Sequence, residues 1–275
     1  MSEKLSVILI GAGNMGGALF ECWVEGDILD PQRSAVVTPN PSDKVIELCE
    51  RANLPINPVE DGDGYDMAVI AVKPHMFADI LPGFDWANID RTLFLSVAAG
   101  ITINEMGQHL KANAPDAKIV RVMPNLPSAI GEGMTLLTAG PDVSDQQVAD
   151  TSILFEAAGE IVWTETEDQL DRLMGVSGCG PAFVFLFAEA FETAAREQGA
   201  SEEDARLLAE QTLIGTALQL AEDGRPADRL REAVTSPNGT TAAGLSVLME
   251  NDALKSLISD AVGAAYRRAQ ELAGK

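Results

Sequence analysis

A glycine fingerprint set directly after an apolar run constrains this chain more than any other feature. Leu5-Ser6-Val7-Ile8-Leu9-Ile10 reads as a buried strand, and Gly11-Ala12-Gly13-Asn14-Met15-Gly16 follows it without a gap. The spacing G-x-G-x-x-G is informative when it joins a strand to a helix. Its first glycine permits a tight turn. The second lets backbone approach a pyrophosphate, and the third lets helix and strand pack closely. The helix start then offers unpaired N–H groups and the positive end of its dipole to an anion. A chain that opens this way is expected to bind a dinucleotide through Gly11, Gly13, Asn14, Met15 and Gly16.

The residues that follow extend the pattern. Ala35 to Val37, Met67 to Val72, Thr92 to Val97 and Lys118 to Val122 are short apolar runs separated by helical stretches. Continuous apolar strands alternating with helices indicate a parallel sheet covered on both faces. Thr135 to Thr138 and Glu160 to Val162 read as closing strands. After about Thr164 no such run recurs, and six helices are expected: 168–174, 181–198, 202–223, 227–234, 241–250 and 254–273. Pro181 suits a first helical position and Ser201 an N-cap, while Gly199 and Gly224 follow helix ends. The expected architecture is α/β: a doubly wound, Rossmann-type sheet over 1–164, then an all-helical domain over 165–275. Phe183, Phe185, Leu186, Phe187, Ala190, Phe191 and Ala194 make one helix apolar around much of its circumference. Such a helix is buried, centrally or against a partner subunit.

Charge limits the partners. With 42 Asp and Glu against 19 Lys and Arg, the formal net charge is −23. That field repels nucleic acid and anionic lipid, so neither is expected as a partner. An anionic ligand then needs a locally built site. Cys22, Cys49 and Cys179 are scattered, with no CxxC pair, which argues against a disulfide framework and a zinc site. No metal is expected. The N-terminus has no basic segment leading into a long apolar stretch, and no run reaches ~18 consecutive apolar residues. A cytoplasmic protein is expected.

The end of the second strand bears on cofactor choice. NAD-specific sites place a carboxylate there, on the ribose hydroxyls. Here the chain reads Val37-Thr38-Pro39-Asn40-Pro41-Ser42-Asp43-Lys44. No carboxylate occupies Thr38 to Asn40, and Lys44 is close, which suits a 2′-phosphate. NADPH is therefore favoured, NADH remains possible, and Asp43 is the competing ribose ligand. The loops Ala71-Val72-Lys73-Pro74, Val97-Ala98-Ala99-Gly100 and Met123-Pro124-Asn125 should line the same crevice. Lys73 is a candidate cation. His75 and His109 read as surface residues.

A second segment stands out: Val234-Thr235-Ser236-Pro237-Asn238-Gly239-Thr240-Thr241-Ala242-Ala243-Gly244-Leu245. It reads as a turn entering a helix capped by Thr240 or Thr241. It also fits a backbone nest for a carboxylate, ringed by the hydroxyls of Ser236, Thr240 and Thr241. Ser236 to Thr241 with Ala243-Gly244-Leu245 resembles the signature of pyrroline-5-carboxylate reductases. Val176-Ser177-Gly178-Cys179-Gly180-Pro181-Ala182-Phe183 resembles their second hallmark, and Arg121 to Pro127 and Ala71 to Pro74 fit in order. Asn238 departs from the usual glycine, but asparagine tolerates the left-handed backbone that such a turn asks for.

The resemblance implies reduction of the C=N bond of 1-pyrroline-5-carboxylate to L-proline by hydride from NAD(P)H, the last step of proline synthesis. It implies a helical domain interlocked with a second subunit, in a homodimer or in rings of dimers. By analogy, the active site lies between the cofactor of one subunit and helices of the dimer. Ser236, Gly239, Thr240 and Thr241 would hold the imino-acid substrate, with the Thr241 hydroxyl at the ring nitrogen as the catalytic candidate. Ala71, Val72, Lys73, Pro74, Ala98, Ala99, Met123 and Asn125 would line the cofactor, with Thr38, Asn40 and Asn57 completing that set. A β-hydroxyacid-type dehydrogenase shares the glycine fingerprint but needs a lysine early in its second domain. Lys255 and Lys275 are the lysines after Lys118, and neither suits that place. A non-catalytic NADPH-sensing protein of the same fold is the other alternative.

Overall fold

The computed structural model describes residues 4–58, 64–83 and 88–272. By its contacts the chain falls into two compact units: one ends at Cys179 and takes in the chain from Ala265 onward, and the other is Gly180–Ala264.

The first unit alternates strands and helices: β1 (Val7–Ile10), α1 (Asn14–Glu25), β2 (Ala35–Val37), α2 (Asp43–Ala52), β3 (Met67–Ile70), α3 (Phe77–Ile80), β4 (Leu93–Ser96), α4 (Ile103–Leu110), β5 (Lys118–Met123), β6 (Gly133–Ala139), α5 (Asp145–Glu156), β7 (Gly159–Thr164) and α6 (Glu167–Ser177). The strands form one sheet in the order β2-β1-β3-β4-β5-β6-β7. β2, β1, β3, β4 and β5 run parallel, so their carboxyl ends share one edge of the sheet. β6 is antiparallel to β5, and β7 parallel to β6. The two closing strands thus reverse the sheet, which alternation of apolar runs does not reveal.

Side chains alternate between two cores, one on each face. One face gathers Val7, Leu9, Val69, Leu95 and Val120 against Leu19, Phe20 and Trp23 of α1. The other gathers Ile8, Ile10, Ile70 and Phe94 against Phe77, Met106 and Leu110. Burial of such large side chains contributes roughly 1.5–3 kcal/mol each. Trp23 is fully buried and keeps its polar end satisfied by donating to the Leu154 carbonyl at 2.8 Å. A polar row crosses the sheet as well: Ser96, Arg121, Thr138 and Thr164 are register partners, and all are buried.

The contact division falls after Cys179, one helix later than the expected boundary after residue 164, because α6 packs on the sheet. Leu170 joins Met123 and Leu136 in a small core. Tyr266 donates to Asp168 on α6 at 2.6 Å, and Arg172 lies 5.2 Å above the Tyr266 ring.

The second unit holds α7 (Gly180–Glu197), α8 (Glu202–Asp223), α9 (Ala227–Ala233), α10 (Thr240–Met249) and most of α11 (Ala253–Leu272). The expected end of the last helix, Ala273, lies outside the described residues. Ala205 and Ala209, one turn apart, are the buried apolar residues of α8, where small side chains let α7 come close. No residue of α7 is buried. Val184, Phe185, Leu186, Leu207, Leu218 and Val247 are 55, 57, 63, 61, 57 and 69% exposed. Such a surface exceeds what a monomer commonly shows to water. The stretch Glu167–Glu197 is also long and apolar enough, by length and composition, to cross a membrane.

Candidate functional site

The sheet order turns between β1 and β3, and the loops leaving their carboxyl ends touch each other. Gly11 adopts φ +95° and donates its N–H to the Val37 carbonyl at 2.8 Å. A Cβ at Gly11 would stand 2.7 Å from Val72 Cγ1, and one at Gly16 would run into the Gly11 carbonyl oxygen and stand 2.9 Å from Ala71 Cβ. Glycine at those two positions serves packing. Gly13 differs: a Cβ there would meet nothing within 4 Å. Gly13 is the N-cap of α1, it makes no side-chain cap, and the first turn carries no acidic residue. The first amides of α1 therefore face open space over a bare backbone. That arrangement fits a pyrophosphate.

Helix caps sharpen the point. Ser42, Thr102, Ser144, Thr166 and Ser201 each close the start of their helices, α2, α4, α5, α6 and α8, with a side-chain oxygen. α1 and α10 instead begin on glycine, with neither a side-chain cap nor an acidic first turn. Thr240 and Thr241 were expected to cap α10. Gly239 is the cap instead, and both threonines are already in the first turn. The reason lies in the turn before it. Asn238 adopts φ +58°, the left-handed conformation that asparagine was expected to tolerate, and Gly239 donates to the Ser236 carbonyl at 3.1 Å. A Cβ at Gly239 would collide with Ser236 Oγ. Threonines elsewhere in helices turn back on their own backbone, as Thr193 does to Glu189 at 2.9 Å and Thr216 to Thr212 at 2.7 Å. Thr240 and Thr241 are exposed in the chain and make no such bond among the described residues.

The remaining expected cofactor residues occupy the carboxyl edge of the sheet. Thr38 and Asn40 follow β2, Ala71 to Pro74 follow β3, Ala98 and Ala99 follow β4, and Met123 and Asn125 end or follow β5. Two asparagines act on protein backbone. Asn57 accepts from Thr38 N and donates to Thr38 O, each at 2.8 Å, and so braces the end of β2. Asn125 donates to the Ser177 carbonyl at 2.9 Å and accepts from Met134 N at 2.9 Å. Lys73 is exposed on the loop after β3. Lys44 pairs with Glu21 of α1 at 2.5 Å. Asp43 opens α2 behind the Ser42 cap, beyond the strand end where a ribose ligand stands. His75 is exposed, whereas His109 is half-buried with its ring edge-on to Phe77 at 6.1 Å.

Two of the thiols are poor nucleophiles. Burial pushes Cys49 up to about 11, and burial beside Glu21 and Glu25 raises Cys22. Cys22 donates to the Ser128 carbonyl at 3.3 Å. Among the described residues no cluster of three or more His, Cys, Asp or Glu side chains could hold a metal ion.

Sequence reasoning left three residues without a role. Ser177 and Met134 hold Asn125 through backbone atoms, which carry no residue-type signal. Arg121 does carry one: it is a charge in the middle of the apolar strand Lys118–Met123, and it is 3% exposed.

Comparison with known proteins agrees with this geometry. Residues 167–272 match the family described as pyrroline-5-carboxylate reductase dimerisation, and residues 6–100 match NADP oxidoreductase, coenzyme F420-dependent. A pyrroline-5-carboxylate reductase of Synechocystis is 33% identical over 276 residues, covering 100% of both chains. A solved pyrroline-5-carboxylate reductase from Coxiella burnetii superimposes with TM-score 0.85 at 33% identity, covering 98% of this chain and 99% of that one. The Plasmodium falciparum pyrroline carboxylate reductase, solved with NADP bound, superimposes with TM-score 0.77 at 26% identity over 98% and 99% of the two chains. With a full-length relative at one-third identity and both unusual helix starts in place, this chain belongs to the pyrroline-5-carboxylate reductase family.

Proposed function

We infer that this chain reduces 1-pyrroline-5-carboxylate to L-proline with NAD(P)H, preferring NADPH. The observation that carries the reading is the pair of glycine-started helices, α1 and α10, each leaving its first amides uncapped. A dinucleotide and a substrate carboxylate are both anions, and a chain of net charge −23 needs such places to hold them. NADPH, when bound, supplies the hydride that ends on the carbon of the substrate's C=N bond.

The chain's own residues bind and orient. The amides of Asn14, Met15 and Gly16 hold the pyrophosphate over Gly13. Thr38, Asn40, Ala71 to Pro74, Ala98, Ala99, Met123 and Asn125 line the cofactor, and Asn57 sets the strand end beneath it. The amides at the start of α10 hold the substrate carboxylate, helped by Ser236, Gly239 and Thr240. The Thr241 hydroxyl hydrogen-bonds the ring nitrogen, which takes its proton from water before hydride reaches the neighbouring carbon, so that the iminium becomes the amine in one transfer. A cyclic imine protonates near neutral pH and is already a good acceptor, so positioning supplies most of the rate. Lys73 and His75 are exposed, and burial raises the thiols of Cys22 and Cys49, which agrees with this economy of acid–base groups.

The reading carries a cytoplasmic homo-oligomer with no nucleic-acid or membrane partner. The family's dimerisation match spans the exposed apolar helices, and we assign the surface of Glu167–Glu197 to subunit contact. Leu186→Glu, at a position 63% exposed in the single chain, should convert the oligomer to monomer and remove turnover, as measured by light scattering and rate. An unchanged oligomer would move the interface elsewhere. The function itself is tested by following NADPH and NADH oxidation with pyrroline-5-carboxylate. Turnover faster with NADPH supports the reading. Binding without turnover points to a sensor, and turnover only of hydroxyacids to a dehydrogenase.

A further inference from the structure

The buried cluster around Arg121 lies outside the residues assigned to cofactor and substrate, yet it adjoins the Met123–Asn125 loop that is assigned to the cofactor. Arg121 donates from Nη2 to Asp171 Oδ1 at 2.6 Å and from Nη1 to Glu167 Oε1 at 3.4 Å. Arg121 and Asp171 are 3% and 1% exposed. Glu167 Oε1 also accepts from Ile103 N at 2.9 Å, which ties the start of α4 to the same point. Four residues beyond Arg121, Asn125 grips the other end of α6 through the Ser177 carbonyl and anchors itself on Met134 N. One strand and the loop that follows it therefore hold a single helix at two places. Those places lie six residues apart, about 9 Å along the axis.

The apolar contact between α6 and the sheet cannot set that register alone. It consists of Met123, Leu136 and Leu170 with Met174 at its margin. Apolar contacts are non-directional, and methionine adapts to shifted neighbours. A planar guanidinium held by two carboxylates has one geometry. Replacing a buried ion pair by apolar side chains of similar volume is often neutral for stability, and in some proteins such a pair serves to specify one arrangement.

We propose that Arg121 is a positioning residue: by clamping Glu167 and Asp171 it fixes α6, whose last residue Ser177 then holds Asn125 and the Met123–Asn125 loop. Its consequence for catalysis rests on the reading that this loop borders the nicotinamide.

The test uses the full-length protein and two variants. Asp171→Asn keeps the shape and removes one charge. Arg121→Met/Asp171→Leu removes both partners of the short ion pair and leaves no buried arginine. Without cofactor, amide exchange at Met134 should accelerate about tenfold or more in either variant, because Asn125 no longer holds that N–H firmly. With NADPH and pyrroline-5-carboxylate, kcat should fall about tenfold while NADPH affinity stays within about twofold. Adding Asn125→Ala to either variant should cost no more than Asn125→Ala alone, since both changes release the same loop. Where the charge-free pair does not fold, Asp171→Asn decides the matter. Unchanged Met134 exchange in a folded variant overturns the proposal. So do losses that multiply with Asn125→Ala, or NADPH affinity that falls in step with kcat. A wild-type protein without turnover defeats the functional reading alone, and Met134 exchange then judges the positioning claim.

Discussion

Gly13→Val is expected to leave the protein folded and to weaken NADPH binding by about 100-fold or more. The three fingerprint glycines separate cleanly in this structure. A Cβ at Gly13 would meet nothing within 4 Å, and the φ of −76° there is open to any residue. Folding stability should change by less than about 1 kcal/mol, the scale of exchanging one N-cap residue for a poorer one. The isopropyl group instead fills the space in front of the α1 amides. Losing two hydrogen bonds to a charged phosphate costs roughly 3–6 kcal/mol, and each 1.4 kcal/mol is tenfold in affinity. Gly16→Ala is the contrast. Its methyl group strikes the Gly11 carbonyl, so it should lower the melting temperature whether or not ligand is present. Thermal melts and fluorescence titration with NADPH distinguish the two. A Gly13→Val protein that titrates like the parent would remove α1 from the cofactor site.

Thr241→Ala should lower kcat by about 10- to 100-fold while NADPH affinity is unchanged. The estimate corresponds to one hydrogen bond to a charged group, roughly 1.5–3 kcal/mol. Within the chain the Thr241 side chain is exposed and makes no hydrogen bond of its own among the described residues. Removing the hydroxyl should therefore leave stability within about 0.5 kcal/mol. Thr241→Ser keeps the oxygen and should retain most activity. Steady-state rates with saturating NADPH, together with direct cofactor titration, read both quantities. Turnover of Thr241→Ala at the parental rate would end its chemical role and leave α10 as a carboxylate holder alone.

These outcomes bear on residues whose types were informative before any coordinates. Gly11, Gly13 and Gly16 follow an apolar strand at a spacing that chain geometry and phosphate binding both require. Their division into two glycines that packing requires and one, Gly13, that packing leaves open was not legible. It depends on Val72 and Ala71, which approach from the loop after β3. The Asn238-Gly239-Thr240-Thr241 turn was legible as a candidate anion nest, but its cap was misassigned. Threonine is a good N-cap in general, and only the left-handed Asn238 and the crowding of Gly239 against Ser236 move the helix start forward by one residue. Lys44 suited a 2′-phosphate on sequence distance. In the structure it has an acidic partner, Glu21, on a neighbouring helix.

The amino-acid order by itself determined the parallel α/β first half, the helical second half and the family, and it marked the two helix starts proposed as anion sites. Each of these follows from local rules: apolar periodicity, glycine freedom, and the demand of helix starts for acceptors. Tertiary structure alone decided that β6 turns antiparallel, that α6 packs on the sheet, and that Asn57 and Asn125 spend their amides on backbone. It also decided that Arg121 finds its two carboxylates 46 and 50 residues away. Such pairings join atoms distant in the chain, and a buried charge or amide takes whichever partner the packed layers bring within reach.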